Sequence, residues 1–388
     1  MIAFSLPRDI PAAPEVVMAR TGHVALLARD LRGLRLATCV EEGAAVEVGT
    51  PLLSDRDRPG IRVVSPAPGR VERIDKGYGR RIERILIRTR GGEAWSASAT
   101  PGNDLRETLL AYGIWPEFRT RPFGRVPDPD SRPDAIFVDA LGGPPAASVQ
   151  AAQEQPGALA RGLSALRTLT RGRVVLCQDG GAVLAAPAER LWVETEPTGR
   201  GGMGARVCRG HSVARSGEVW TIDCQPVIAI GRLLGEGILD QSRLVVIARK
   251  GGLGRLVRTS LGADLEEILR KQDEGSLLLL PETPFEARRW LGRFETNIAQ
   301  PAPDAVAPRA QVPGAIVPIP ALRAALPAGI RAIPLLRALS IGDAEAARRL
   351  GCLDLIEDDM RAATAICASG SDYGALLRRV LDELEAET

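Results

Sequence analysis

The stretch that most constrains the fold is R-V-V-S-P-A-P-G-R-V-E-R-I, residues 62–74. Strand side chains alternate between two faces, so each half reads as a short strand and Pro-Ala-Pro-Gly reads as the turn between them. The neighbouring sequence keeps the pattern. R-L-A-T-C-V-E-E-G-A-A-V-E-V-G-T-P-L-L gives two more short strands, with Gly43 and Gly49 as turn formers, and R-R-I-E-R-I-L-I-R-T gives another. Short strands at regular spacing, punctuated by glycine and proline, predict a small all-β sandwich or barrel over residues 1–100.

The order G-x-x-V-x-x-G-x-P-L-L and then V-x-S-P-x-x-G-x-V resembles the biotinyl/lipoyl sandwich, a barrel-sandwich hybrid. That family modifies a lysine at a hairpin tip before the S-P segment. Here the tip is S-D-R-D-R-P-G, residues 54–60, and holds no lysine. Arginine stays protonated and is not acylated by that route. Lys76 follows the second strand, on a different turn. The module is therefore expected to keep the fold and serve as a docking surface.

A chain of 388 residues, 45 % apolar, has room for two to four domains with a sizeable core. Its net charge of +2 gives no concentrated basic face for nucleic acid. Lys76, Lys250 and Lys271 are the only lysines, and this arginine bias reads as codon usage. No run reaches the eighteen apolar residues of a membrane span, and the N-terminus lacks a signal-peptide pattern. A cytoplasmic protein, at most resting against a membrane, is expected. The six cysteines are scattered without a C-x-x-C, which argues against zinc and iron–sulfur sites and for reduced, buried thiols.

Asn103 or Asp104 can cap a helix that Gly113 ends. The next segment, 118–133, is rich in proline and predicts an extended loop in which Arg119, Arg121 and Phe123 carry the chemistry. The arginines either pair with nearby carboxylates or, with the aromatic ring, meet a quinone or a partner. A-I-F-V-D-A-L, a helical stretch and R-V-V-L-C form a βαβ unit, so residues 101–240 predict a Rossmann-like domain with a parallel sheet. G-R-G-G-M-G at 199–204 has the composition of a phosphate or flavin loop, but no clear helical period follows it, and a flexible connection is expected. Residues 241–298 predict a small β-grasp-like module with a helix capped by Asp264. Residues 299–334 form a Pro/Ala-rich linker and 335–388 a helical C-terminal region. In that region Glu357, Asp358 and Asp359 read as a solvated helix face or cap.

Several stretches in order carry a second resemblance: R-E-T-L-L-A-Y-G-I-W-P-E-F-R-T-R-P-F-G-R-V-P, E-V-W-T-I-D-C-Q-P-V-I-A-I-G-R-L, R-L-V-R-T-S-L-G-A-D-L-E-E and L-L-R-A-L-S-I-G-D-A-E-A-A-R-R-L-G-C-L-D-L-I-E-D-D. Together with the S-P hairpin they are similar to the A subunits of sodium-translocating NADH:quinone oxidoreductases, a family related to the flavin-binding subunit of NADH dehydrogenases and to the Rnf C subunit. The resemblance covers almost the whole chain. It implies a peripheral subunit on the cytoplasmic face of the bacterial inner membrane. It implies no cofactor on this chain, a link to quinone, and partner subunits that use NADH and carry the flavins and iron–sulfur centres. The nearest of these is the flavin-bearing membrane subunit. The family's usual H-I-H is R-V-C here, residues 206–208, so a related Rnf-like electron-transfer complex stays open. No catalytic centre is evident in this chain alone. A soluble flavoenzyme built on G-R-G-G-M-G is a further alternative, and a carrier module lacks its lysine. His23 and His211, the only histidines, read as ordinary polar residues.

Overall fold

The computed structural model of the protein describes residues 15–91, 95–141, 147–179, 183–196, 217–248, 255–272, 289–299, 314–327 and 329–387. Its N-terminal part is the barrel expected from the alternating segments. One sheet runs His23–Leu27, Ile82–Thr89, Gly69–Lys76, Ala45–Val46, and the other runs Leu36–Thr38, Pro51–Asp55, Arg62–Val64. Leu52, Leu53, Val63, Val71, Ile85 and Ile87 are fully buried between them. The S-P turn explains itself locally. Ser65 is buried and donates its hydroxyl to Ala67 O at 2.7 Å. A Cβ on Gly69 would lie 2.2 Å from Arg88 O, so only glycine lets the strands close there.

The second part is a five-stranded sheet in the order Arg119–Arg121, Val219–Asp223, Ala135–Ala140, Arg173–Asp179, Leu191–Glu196. The last four are parallel, and the first is an antiparallel edge strand. The apolar runs Ile136–Val138 and Val174–Leu176 are buried on both faces, as a parallel sheet requires. Helix Pro156–Leu166 crosses helix Cys224–Glu236 with almost no gap. A Cβ on Gly162 would lie 2.0 Å from Val227 O, and one on Gly231 would lie 1.8 Å from Ala158 O. The chain builds Ala135–Ala140, adds two strands on one side, and returns to the other side with Val219–Asp223. Connections therefore leave in opposite directions between Ala135–Ala140 and Val219–Asp223, which makes this the topological switch point of the sheet.

A mixed four-stranded sheet forms the third unit. Val16–Met18, from the start of the described chain, runs parallel to Arg255–Ser260, which pairs antiparallel with Ser242–Ala248, itself parallel to Asn297–Ala299. Asp264 caps helix Leu265–Gln272 as the sequence suggests, accepting from Glu266 N and Glu267 N. The C-terminal unit is helical. Ala332–Ile341, Ala344–Arg349, Arg361–Ile366 and Tyr373–Ala386 close on Leu335, Leu339, Met360, Tyr373, Leu377 and Leu381. Asp343 and Asp372 cap two of these helices. Among the described residues no helix is long and apolar enough to cross a membrane.

Candidate functional site

The Arg119–Phe123 segment lies on the seam between the parallel-sheet unit and the helical C-terminal unit. Strand Arg119–Arg121 ends at a cis Arg121–Pro122 bond. Phe123 then takes a φ of +75°, a region costly for a bulky side chain. Two contacts hold it there. Arg378 donates to Phe123 O at 2.6 Å, and the Phe123 ring packs against the C-terminal core.

The arginines on this strand are engaged. Arg121 is only 1 % exposed and donates to Asp359 Oδ2 at 2.6 Å and to Asp354 O at 2.7 Å. Arg119 pairs with Asp358 Oδ2 at 2.5 Å and lies over the Phe294 ring, 4.2 Å from its centroid. Arg361 donates to the other Asp358 oxygen at 2.6 Å. Burial alone would raise the Asp358 pKa, but Arg119 and Arg361 together hold it well below the usual carboxylate range. Asp359 also accepts from Ile356 N, closing the turn of its own segment. Glu357 meets Arg32 from the barrel, and Arg125 meets Glu385. The E-D-D run is therefore no solvated helix face. Arg361 is a local partner, but Arg119 and Arg121 lie more than 200 positions earlier, and that separation hides their pairing from any local reading of the sequence.

A second acidic feature sits at the switch point. Asp139 and Asp223 are register partners on neighbouring parallel strands, so their side chains leave the same face at the carboxyl ends. Asp223 accepts from Gln225 N at 2.8 Å, capping helix Cys224–Glu236, and from Ser148 Oγ at 3.0 Å. Burial first, and then the Asp139 charge, push Asp223 up to about 7. Burial and the charges of Asp223 and Asp139 also raise the Cys224 thiol, which is no nucleophile at neutral pH. Sequence reading missed this pair because its members stand in separate strands. The only available signal was that each aspartate ends an apolar strand.

A third cluster joins three units. Glu117 Oε1 accepts from Arg243 at 2.5 Å and Arg293 at 2.6 Å, all three nearly buried. Arg293 N in turn donates to Asp30 of the barrel at 2.8 Å, and burial raises Asp30 to about 6. The carrier tip at 54–60 is likewise a seam. Asp55 is buried and binds Arg58, which reaches Asp128 and Gly33 O. His23 contacts Glu72 at 3.2 Å. The 199–204 glycine run, R-V-C at 206–208 and His211 lie outside the described residues. Among the described residues no group of three or more metal-ligating side chains occurs.

Comparison with known proteins agrees with this architecture. Residues 10–90 match the family model described as the NqrA N-terminal barrel-sandwich hybrid domain, and residues 100–239 match that of the NqrA second alpha/beta domain. The A subunit of the Na(+)-translocating NADH-quinone reductase of Tolumonas auensis is 32 % identical over the full length of both chains. The protein of the same name from Klebsiella pneumoniae is 32 % identical with 94 % of each chain covered, and that from Pasteurella multocida is 31 % identical with 97 % covered. The chain belongs to the NqrA family.

Proposed function

We propose that this member of the NqrA family is a peripheral, cofactor-free subunit of a membrane-bound, ion-translocating NADH:quinone oxidoreductase. It would sit on the cytoplasmic face of the bacterial inner membrane and contribute to assembly. The observation that carries this reading is end-to-end similarity to subunits of that name, with full coverage of both chains. Electron transfer then belongs to flavin- and iron–sulfur-bearing partners, and this chain supplies shape. Its barrel meets the rest of the chain through Asp30 and through Asp55 and Arg58, the last two at the tip where a carrier would present a modified lysine.

In this reading the Arg119–Phe123 segment contributes to a quinone or partner contact. Arg119 keeps 23 % of its side chain open and Phe123 is half-buried, so these two would touch the ligand. Arg121 would act from beneath, by fixing the C-terminal unit against the strand. Membranes from a strain lacking the chain test the reading. NADH-driven, sodium-dependent quinone reduction should be lost and should return when the wild-type chain is restored. Unchanged reduction would contradict it, and a purified chain that is yellow would favour the flavoenzyme alternative. A second reading, a related Rnf-like complex, rests on R-V-C at 206–208 in place of the family's usual histidines. It predicts electron exchange with ferredoxin instead.

A further inference from the structure

Strands Gly69–Lys76 and Ile82–Thr89 form a hairpin whose connection projects from the barrel. Its tip reads K-G-Y-G-R-R, residues 76–81. Tyr78 is 99 % exposed, more than any other aromatic residue among those described. Lys76, Arg80 and Arg81 are exposed as well, and among the described residues none of them has an ion-pair partner. The tip's position in the fold explains this. Asp75, the acid nearest the tip, is taken by Arg73 and Arg84 on the strands just below it. Glu83 lies against the backbone of Gly77, where a Cβ would come within 1.8 Å of it, and it leaves a net surplus of two positive charges. Gly79 and Arg80 both take left-handed φ, which turns the chain sharply and keeps the tip narrow and convex.

We propose that this tip is a membrane-surface contact that binds anionic phospholipid headgroups. Tyrosine with flanking lysine and arginine is the combination that settles at the headgroup layer, an apolar ring with polar and cationic ends. The scale of the feature favours lipid over protein. A stable protein interface needs about 1,000 Å² or more of fitted surface, which one protruding turn does not offer. Cations beside an anionic bilayer need no fitted surface. The inference rests on the reading that the chain works at a membrane. No described helix crosses one, so attachment without partners would be through the surface.

The isolated full chain is mixed with vesicles of phosphatidylcholine alone or with one third phosphatidylglycerol, and bound protein is measured by flotation. The wild type should float with the anionic vesicles, stay behind with the neutral ones, and release as salt rises. The variant K76Q/R80Q/R81Q should lose about a hundredfold in partitioning. Tyr78→Ala should weaken it several-fold, and R348Q/R349Q, an exposed basic pair elsewhere, should leave it unchanged. Equal binding to both vesicles, no binding to either, or equal loss in the control variant would overturn the proposal. So would wild-type binding by the triple variant. Circular dichroism of each variant excludes unfolding as the cause. Because no partner subunit is present, failure here leaves the complex-membership reading standing, and failure of that reading leaves the vesicle result intact.

Discussion

Two groups of aspartates in this protein live under opposite electrostatics. At the seam, Asp358 and Asp359 each meet an arginine of the edge strand, and Asp358 is held ionised far below the ordinary carboxylate range. At the switch point, Asp223 faces Asp139, Cys224 and Ser148, with Arg243 the cation in its field, and its pKa climbs to about 7. The seam is stabilised by charge and weakens in acid. The switch point is strained by burying a carboxylate, and then by the second one beside it, and weakens as its proton leaves. The pairing of a carboxylate decides its role more than its depth does. The seam acids hold two units together, whereas the crevice acids make the sheet's carboxyl edge sensitive to pH.

The largest expected effect breaks the seam. Arg121→Ala removes the guanidinium that pairs with the buried Asp359 and should cost about 3–5 kcal/mol. Chemical denaturation should show the loss, with hydrogen exchange rising first in residues 354–387. An unchanged midpoint would remove Arg121 from the role of inter-unit tie.

The next sharpens the opposite pole. A carboxyl group with a raised folded pKa stabilises the fold fully below its unfolded value near 4. That contribution is lost as pH rises through the folded value of about 7. Asp223→Asn keeps the helix cap and cannot ionise. It should raise stability at pH 8 by about 2–4 kcal/mol and flatten the decline between pH 5 and 8. Asp30, at about 6, should leave part of the slope in place. A variant that tracks the wild type across this range would mean Asp223 is ionised throughout.

The smallest effect returns to the seam. Arg119 and Asp358 are partly open, at 23 % and 31 % of their side chains, so solvent screens them. Arg119→Ala should cost about 1 kcal/mol or less, and the cost should shrink further in high salt. A loss as large as that of Arg121→Ala would show that exposure does not separate the two ties.

Local features of this fold were legible in the sequence and pairings across it were not. Asp104 accepts from Glu107 N as a cap, and Gly43 and Gly49 take φ of +85° and +90°. Both follow from residue type and immediate neighbours. The βαβ unit follows from periodicity, and so do the two strands flanking the S-P turn; periodicity does not show that Arg62–Val64 and Gly69–Lys76 join different sheets instead of pairing as a hairpin. Strand Val16–Met18 joining Arg255–Ser260 does not, since three residues carry no period and the partner lies far along the chain. The same holds for Asp139 opposite Asp223 and for Arg121 on Asp359. Sequence reading left open whether the arginines of the Arg119–Phe123 loop pair with carboxylates, and the fold supplied the partners.

The most direct measurement is recovery of the tagged wild-type chain from detergent-solubilised membranes, with its companions identified by mass spectrometry. The account predicts membrane subunits that carry flavin and iron–sulfur centres, in fixed proportion to the chain. Recovery of the chain alone, or from the soluble fraction only, would contradict it.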